Sequence, residues 1–166
     1  MQIYDALKAD HKRIKQLLKK LDATTEKEAG ARKKLLGELK GILVPHARAE
    51  EQALYEPLKK SDVKEADALA FEGYEEHAVV DHLMEQLEST AGNDKKWTAM
   101  MSVVKESLEH HIEEEEEDTF KKAKKSFDRS EAEEMAATFL KLKAEFLRQV
   151  RAGKTPPQPP SHELVR

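Results

Sequence analysis

His46-Ala-Arg-Ala-Glu50-Glu-Gln-Ala-Leu-Tyr55 and His111-Ile-Glu-Glu-Glu115-Glu-Glu-Asp-Thr-Phe120 are two versions of one pattern. Each has a His, a Glu four residues on, a second Glu directly after it, and an aromatic residue at the tenth position. On a helix, residues four apart share a face, so each box aims an imidazole and a carboxylate into the same space. A lone histidine precedes each box at nearly the same interval. His11 lies 35 residues before His46, and His77 lies 34 before His111. The chain is therefore an internal repeat of a lone His followed by HxxxE. Four His and two Glu are a ligand set for two metal ions. Imidazole and carboxylate donors in this arrangement suit iron best, and zinc and manganese also accept them. The expectation is a carboxylate-bridged dinuclear site with two iron ions as cofactor.

The flanking residues extend each box into a long amphipathic helix. A first helix over 3–21 carries the stripe Ile3, Leu7, His11, Ile14, Leu17, Leu21. A second, over 27–60, carries Leu35, Leu39, Ile42, His46, Glu50, Leu54, Leu58. Pro45 falls inside it, which predicts a kink just before His46 or a break into two shorter helices. Ser61-Asp62 opens a third helix, with Asp62 and Glu65 as a capping box and His77 on the stripe from Ala66 through Gly73 to Leu87. Ala91-Gly92-Asn93-Asp94 is a turn. The fourth helix, over 95–127, carries Trp97, Met101, Val104, Leu108, His111, Glu115. Ser130-Glu-Ala-Glu133 reads as a second capping box. It opens a fifth helix with Met135, Phe139, Leu142, Phe146 and Val150 on one face. That face can cover the chain's own bundle or make a dimer. After Gly153 follows Lys-Thr-Pro-Pro-Gln-Pro-Pro-Ser, a polyproline-like tail expected outside the core.

The fold class is thus all-α, an up-down-up-down four-helix bundle with an additional C-terminal helix. The expected organisation is a metal-binding bundle over 1–128, an accessory helix over 129–152 and a Pro-rich tail over 153–166. Composition agrees. Charged residues make up 37% of the 166, aromatics only 5%, which favours amphipathic helices over a sheet. A net charge of −4 with interspersed Lys and Glu describes a solvated helical exterior and no nucleic-acid surface. No apolar run approaches the roughly 20 residues that cross a bilayer. The chain has no cysteine, which excludes thiolate metal sites and disulfides and fits a cytoplasmic location.

A single inward His is ordinarily a hydrogen-bonded core residue. Four of them, one per helix, together with two inward carboxylates, is a different matter. Buried carboxylates are costly unless bound to metal or faced by protonated His. Helical phase separates His111 from its neighbour: Trp97, Met101, Val104 and Leu108 project onto His111, and His110 is left exposed or behind the ligands. His82, about 140° round the helix from His77, reads as a surface residue. Asp81 shares the face of His77 and has three options: to bond metal, to orient His77, or to face solvent. Glu51 and Glu116 sit beside the inward glutamates, where they can orient ligands. Tyr55 and Phe120 occupy equivalent positions and read as caps on the core.

At these residues the chain resembles the haemerythrin-like HHE cation-binding domain family. The resemblance rests on the order H…HxxxE…H…HxxxE, Glu-Glu in both boxes, and Leu54-Tyr55-Glu56-Pro57 after the first, and it covers about residues 3–127. It implies a non-haem di-iron centre inside a four-helix bundle. His11, His46, His77 and His111 would be terminal ligands, and Glu50 and Glu115 bridging ones. Oxygen-carrying members have a fifth His four residues after the third-helix His and an HxxxxD box. Here those positions hold Asp81 and HxxxE, which argues against reversible dioxygen carriage.

Two octahedral ions present about twelve ligand positions; four imidazoles, two bridging carboxylates and an oxo or hydroxo bridge leave about two open. Open positions are where O2, NO or peroxide bind. Four functions follow: handling or sensing of these small molecules in oxidative or nitrosative stress; peroxidase- or catalase-like turnover; an iron-responsive or iron-buffering module; or a helical interaction protein with structural metal, contacting a partner through Phe139 and Phe146. Small-molecule handling is the leading expectation, in a monomer or homodimer. Multi-turnover reduction would need a separate electron-donor protein.

Overall fold

The computed structural model describes residues 1–159, of which none is in a strand. Five helical rods follow one another. The first, α1, spans Ile3–Asp22. The second, α2, has an α segment Ala29–Glu50, a π turn Glu51–Tyr55 and a last α turn Glu56–Leu58. The third, α3, spans Ala66–Glu88. The fourth, α4, has an α segment Lys95–Glu114, a π turn Glu115–Thr119 and a final segment Phe120–Ser126. The fifth, α5, spans Arg129–Arg151 and packs along α1 and α2. Four rods make the bundle and the fifth closes one side of it. No helix among the described residues is long and apolar enough to cross a membrane.

Two local expectations are corrected, and one alternative is decided. Of the two readings at Pro45, the break into shorter helices is excluded, since α2 stays helical from Ala29 to Glu50. The helix gives up one backbone bond there and continues; the interruption comes later, as a π turn straight after Glu50. The third helix does not begin at Ser61-Asp62. Its N-cap is Glu65, in the left-handed region at φ 69°, and no side chain caps it. The capping box of α5 is built by Asp128 and Glu131, two residues ahead of the expected Ser130 and Glu133. Asp accepts a first-turn N–H as well as Ser does, so either register was chemically sound.

The bundle has two apolar cores with a polar layer between them. One holds Leu7, Leu54, Leu58, Tyr74, Phe120 and Phe139 among others. The other holds Ile14, Leu39, Leu43, Val80, Val104 and Leu108. Along α1, Leu7 belongs to the first and Ile14 to the second, with His11 between. Along α4, Leu108 belongs to the second and Phe120 to the first, with Glu115 between. Fully burying a Leu or Phe contributes roughly 1.5–3 kcal/mol, so two such cores can hold a costly polar layer in place. At the far end of the second core Arg32, 2% exposed, ties the loops together. It donates to Thr24, Gly92 and Thr98 and lies over the Trp97 ring.

The apolar face of α5 covers its own bundle. Phe139 is fully buried, with its ring 5.7 Å from that of His46. The tail also departs from expectation. Pro156 is buried, and Gln158 reaches the backbone carbonyl of Tyr74 and the carboxylate of Glu51. The rest of the Pro-rich stretch, 160–166, lies outside the described residues.

Candidate metal centre

Six side chains from four helices meet in the polar layer: His11, His46, Glu50, His77, His111 and Glu115. All are buried, none more than 6% exposed. The imidazoles form two pairs. His11 and His46 have ring centroids 5.1 Å apart, and His77 and His111 4.9 Å apart. Each glutamate touches one member of each pair. Glu50 Oε2 is 3.7 Å from His46 Nε2 and 3.3 Å from His77 Nε2. Glu115 Oε2 is 3.3 Å from His11 Nε2 and 3.9 Å from His111 Nε2. Both carboxylates therefore span the two pairs.

Each imidazole is turned by a carboxylate on its outer edge. His11 Nδ1 donates to Glu116 at 2.9 Å and His46 Nδ1 to Asp10 at 3.1 Å. His77 Nδ1 donates to Glu51 at 2.9 Å and His111 Nδ1 to Glu76 at 3.0 Å. An ionised carboxylate only accepts, so the proton belongs on Nδ1 and the Nε2 lone pair faces inward. Ligating histidines are characteristically oriented this way. The pattern has the twofold logic of the repeat. Asp10 and Glu76 hold the histidine of their own half, and Glu51 and Glu116 reach across to the other.

The inner face is short of donors. His11 Nε2, Glu50 Oε1 and Glu115 Oε2 are buried without a hydrogen-bond partner. His77 Nε2 and His111 Nε2 lie 3.2 Å apart, a contact two acceptors tolerate only by sharing a proton or a cation. Burial, and then the neighbouring Glu115, push Glu50 well above the usual carboxylate range. Against burial, His11 and His111 hold Glu115 below it. Burial opposes charge on His11 and His111 too, yet the facing carboxylates raise both. His46 goes the other way, pushed down by burial to about 4 despite Asp10. A cluster of four inward imidazoles and two carboxylates suits cations; five of its six residues fall into two groups, His11–His46–Glu50 and Glu50–His77–His111, with Glu50 common to both and Glu115 in neither.

The π turns explain a contact that a plain α-helix would not give. Five residues apart on an α-helix lie about 140° from each other. The π turn after Glu50 brings Tyr55 back over it, so the phenol donates to Glu115 at 3.0 Å and lies 3.3 Å from Glu50. Burial and these carboxylates push the Tyr55 hydroxyl well above its ordinary value, which keeps it a donor. Gly73 makes room for the ring: a Cβ there would stand 2.6 Å from Tyr55 Cζ. In the other half Phe120 stacks on His11 at 6.4 Å. Tyr55 is thus more than a cap on the core.

Three further candidates stand apart from the cluster. Asp81 is held by Arg48, a buried guanidinium that also lies 3.5 Å from Glu51, and it joins neither group of inward ligand atoms. His82 is exposed. His110 points outward with its side chain 65% exposed, 3.2 Å from Glu114. Residue reading passed over Asp10, Glu76, Arg48, Lys143 and Gln158. Lys143 of α5 clamps Asp10 at 2.9 Å, so the fifth helix reaches His46 through one intermediate. The available signal was an acid directly before each lone histidine, in Asp10-His11 and Glu76-His77.

The profile of the Hemerythrin HHE cation binding domain matches residues 2–123. The chain belongs to that family of metal-binding helical domains. It is similar to a Hemerythrin HHE cation binding domain-containing protein from Mycobacterium kansasii, with a TM-score of 0.74, 26% identity, and cover of 91% of this chain and 93% of that one. An uncharacterized hemerythrin-like protein of Schizosaccharomyces pombe is 23% identical over 142 residues, 86% of this chain and 69% of its own.

Proposed function

We propose that the cluster holds two iron ions and that the chain binds or handles O2, NO or peroxide there. His11 and His46 would hold one ion and His77 and His111 the other, with Glu50 and Glu115 spanning both. The observation that carries this reading is the outward tether on every imidazole, which leaves four Nε2 atoms facing two carboxylate oxygens, Glu50 Oε1 and Glu115 Oε2, that have no hydrogen-bond partner. Iron bound there supplies open coordination positions and electrons for small-molecule chemistry.

The chain's own residues set the conditions for that chemistry. Tyr55 holds a proton on its hydroxyl oxygen, 3.0 Å from Glu115. It is a donor to the cluster that is neither ligand nor tether. Ile14, Leu43, Val80, Val104 and Leu108 exclude water from one side, and Phe120 and Phe139 from the other. Among the described residues no fifth histidine points inward and Asp81 is engaged by Arg48, which favours reaction over reversible carriage. The test is metal content per chain after expression with iron, with the aerobic absorption spectrum and titrations by azide, peroxide and NO. About two irons per chain with near-ultraviolet charge-transfer bands supports the proposal. Zinc alone, or no metal, overturns it.

A further inference from the structure

The buried cluster opens to the surface through a narrow crevice between α3 and α4. Its walls include Tyr55, Glu72, Gly73, Glu76, His111, Glu114 and Glu115, and its free volume is about 10 Å³, close to the room of one ion or water. Two of these walls, Glu76 of α3 and Glu114 of α4, are approached from outside the crevice by His110, one helical turn before Glu114. One ligand atom from each of the three lies within 4.8 Å of the others.

We propose that Glu76, His110 and Glu114 form an outer site for a divalent cation, from which metal passes into the buried cluster. The inference rests on the metal-binding reading above and adds a loading route to it. Three observations support it. The first is donor chemistry: one imidazole and two carboxylates are a competent set for Fe2+, Mn2+, Co2+ or Zn2+. Their partial exposure leaves a cation some of its water. The second is continuity. Glu76 accepts from His111 Nδ1 at 3.0 Å. A carboxylate accepts at two oxygens, so it can keep His111 while receiving a cation. Glu115, which adjoins Glu114, lines the same crevice, and its Oε2 is buried and unpartnered. A cation leaving the outer site thus meets an available acceptor on its inward path. The third is field. Among the described residues no lysine or arginine lines this crevice, whereas Lys8, Lys12, Lys15 and Lys19, against the single acid Glu116, line the cavity that reaches His11. Cations are drawn to the acidic opening and repelled from the basic one.

The test separates rate from capacity. Metal-free protein is mixed with limiting Co2+, and uptake into the buried cluster is followed by its visible absorption. The double variant His110→Ala, Glu114→Gln should load at least about tenfold more slowly than wild type, a size typical of lost electrostatic steering. Its final cobalt content and Tm should equal the wild type's. A control variant, Glu113→Gln with Glu117→Gln, removes charge from another part of α4 and should load at the wild-type rate. Equal loading of the double variant and wild type overturns the proposal, and so does equal slowing in the control. A second measurement is independent of loading. In protein filled with Zn2+, a trace of Mn2+ should broaden the ring resonances of His110 well before those of His82; equal broadening overturns the outer site. A wild-type chain that takes up no metal overturns this inference and the proposed function together, an outcome distinct from normal uptake at an unaltered rate.

Discussion

Glu51 Oε1 lies 2.9 Å from His77 Nδ1, across the boundary between the two halves of the repeat. Glu51 follows Glu50 in sequence, so one helical step places a cluster carboxylate and a tether for the opposite helix side by side. Glu116 does the same for His11 at 2.9 Å. The Glu-Glu dipeptide in each box is therefore a device that binds the two halves together. Neither half completes its own imidazoles. This relationship gives the first prediction. Glu51→Ala leaves all six inward residues in place yet should weaken metal binding about 10–100-fold, the usual effect of removing a carboxylate that orients a ligating histidine. Glu116→Ala should act alike at His11, while Asp81→Ala, one contact farther out behind Arg48, should change affinity little. Competition against a coloured chelator measures all three. Wild-type affinity in Glu51→Ala would show that His77 needs no tether.

The second prediction separates two adjacent histidines. His111 is buried with Nε2 inward, and His110 stands in solvent beside Glu114. His111→Ala should lose about half or more of the bound metal, since the His77 pair then has one imidazole. His110→Ala should reach full content at equilibrium, and only its rate of filling should fall. Elemental analysis after prolonged dialysis against metal decides this; equal losses in the two variants would refute the assignment.

Much of this arrangement was legible in the residues, and the boundary has physical causes. Periodicity found the faces of His11, His46, Glu50, His77, His111 and Glu115, because burial against a bundle core imposes a 3.6-residue period over many turns. The π turns were not legible. One extra residue per turn changes the bond pattern without requiring any particular residue type, so Tyr55 read as a core cap when it is a donor to both glutamates. Asp10 and Glu76 lie one step off the stripe and look like ordinary solvated acids until the third dimension brings His46 and His111 to them. Asp81 misled in the opposite sense. It shares the His77 face, and only the fold reveals that Arg48 has claimed it.

The third prediction concerns the fit of Tyr55 against Gly73. A methyl group at 73 cannot enter unless the Tyr55 ring moves, as a Cβ would meet three of its atoms at 2.6–2.7 Å. Overpacking of this kind costs typically about 1–3 kcal/mol. Gly73→Ala should lower Tm and also alter the absorption spectrum of the iron-loaded protein, because the hydroxyl leaves Glu50 and Glu115. Tyr55→Phe should alter the spectrum in the same sense with a much smaller fall in Tm. If Gly73→Ala keeps the wild-type spectrum, the hydroxyl has no influence on the centre.

The last prediction joins the tail to the chemistry. Gln158 donates from Nε2 to Glu51 at 3.0 Å and to the Tyr74 carbonyl at 2.7 Å. Glu51 thus receives the tail on the oxygen that also receives His77. A hydrogen bond to a charged partner is worth about 1.5–3 kcal/mol, more than one between neutral groups. Losing this one should loosen Glu51 and hence His77 without touching either core. Gln158→Ala is therefore expected to release metal to an excess of chelator roughly tenfold faster, as expected for losing about 1.4 kcal/mol of hold on the barrier to opening. Metal content before challenge should stay close to wild type, and Tm should fall by only a few degrees. Gln158→Glu, which sets a like charge against Glu51, should release metal at least as fast as the alanine variant. Gln52→Ala, an exposed amide on α2, should release at the wild-type rate. If Gln158→Ala and Gln158→Glu both release metal as slowly as wild type, the tail lies against the bundle without governing His77.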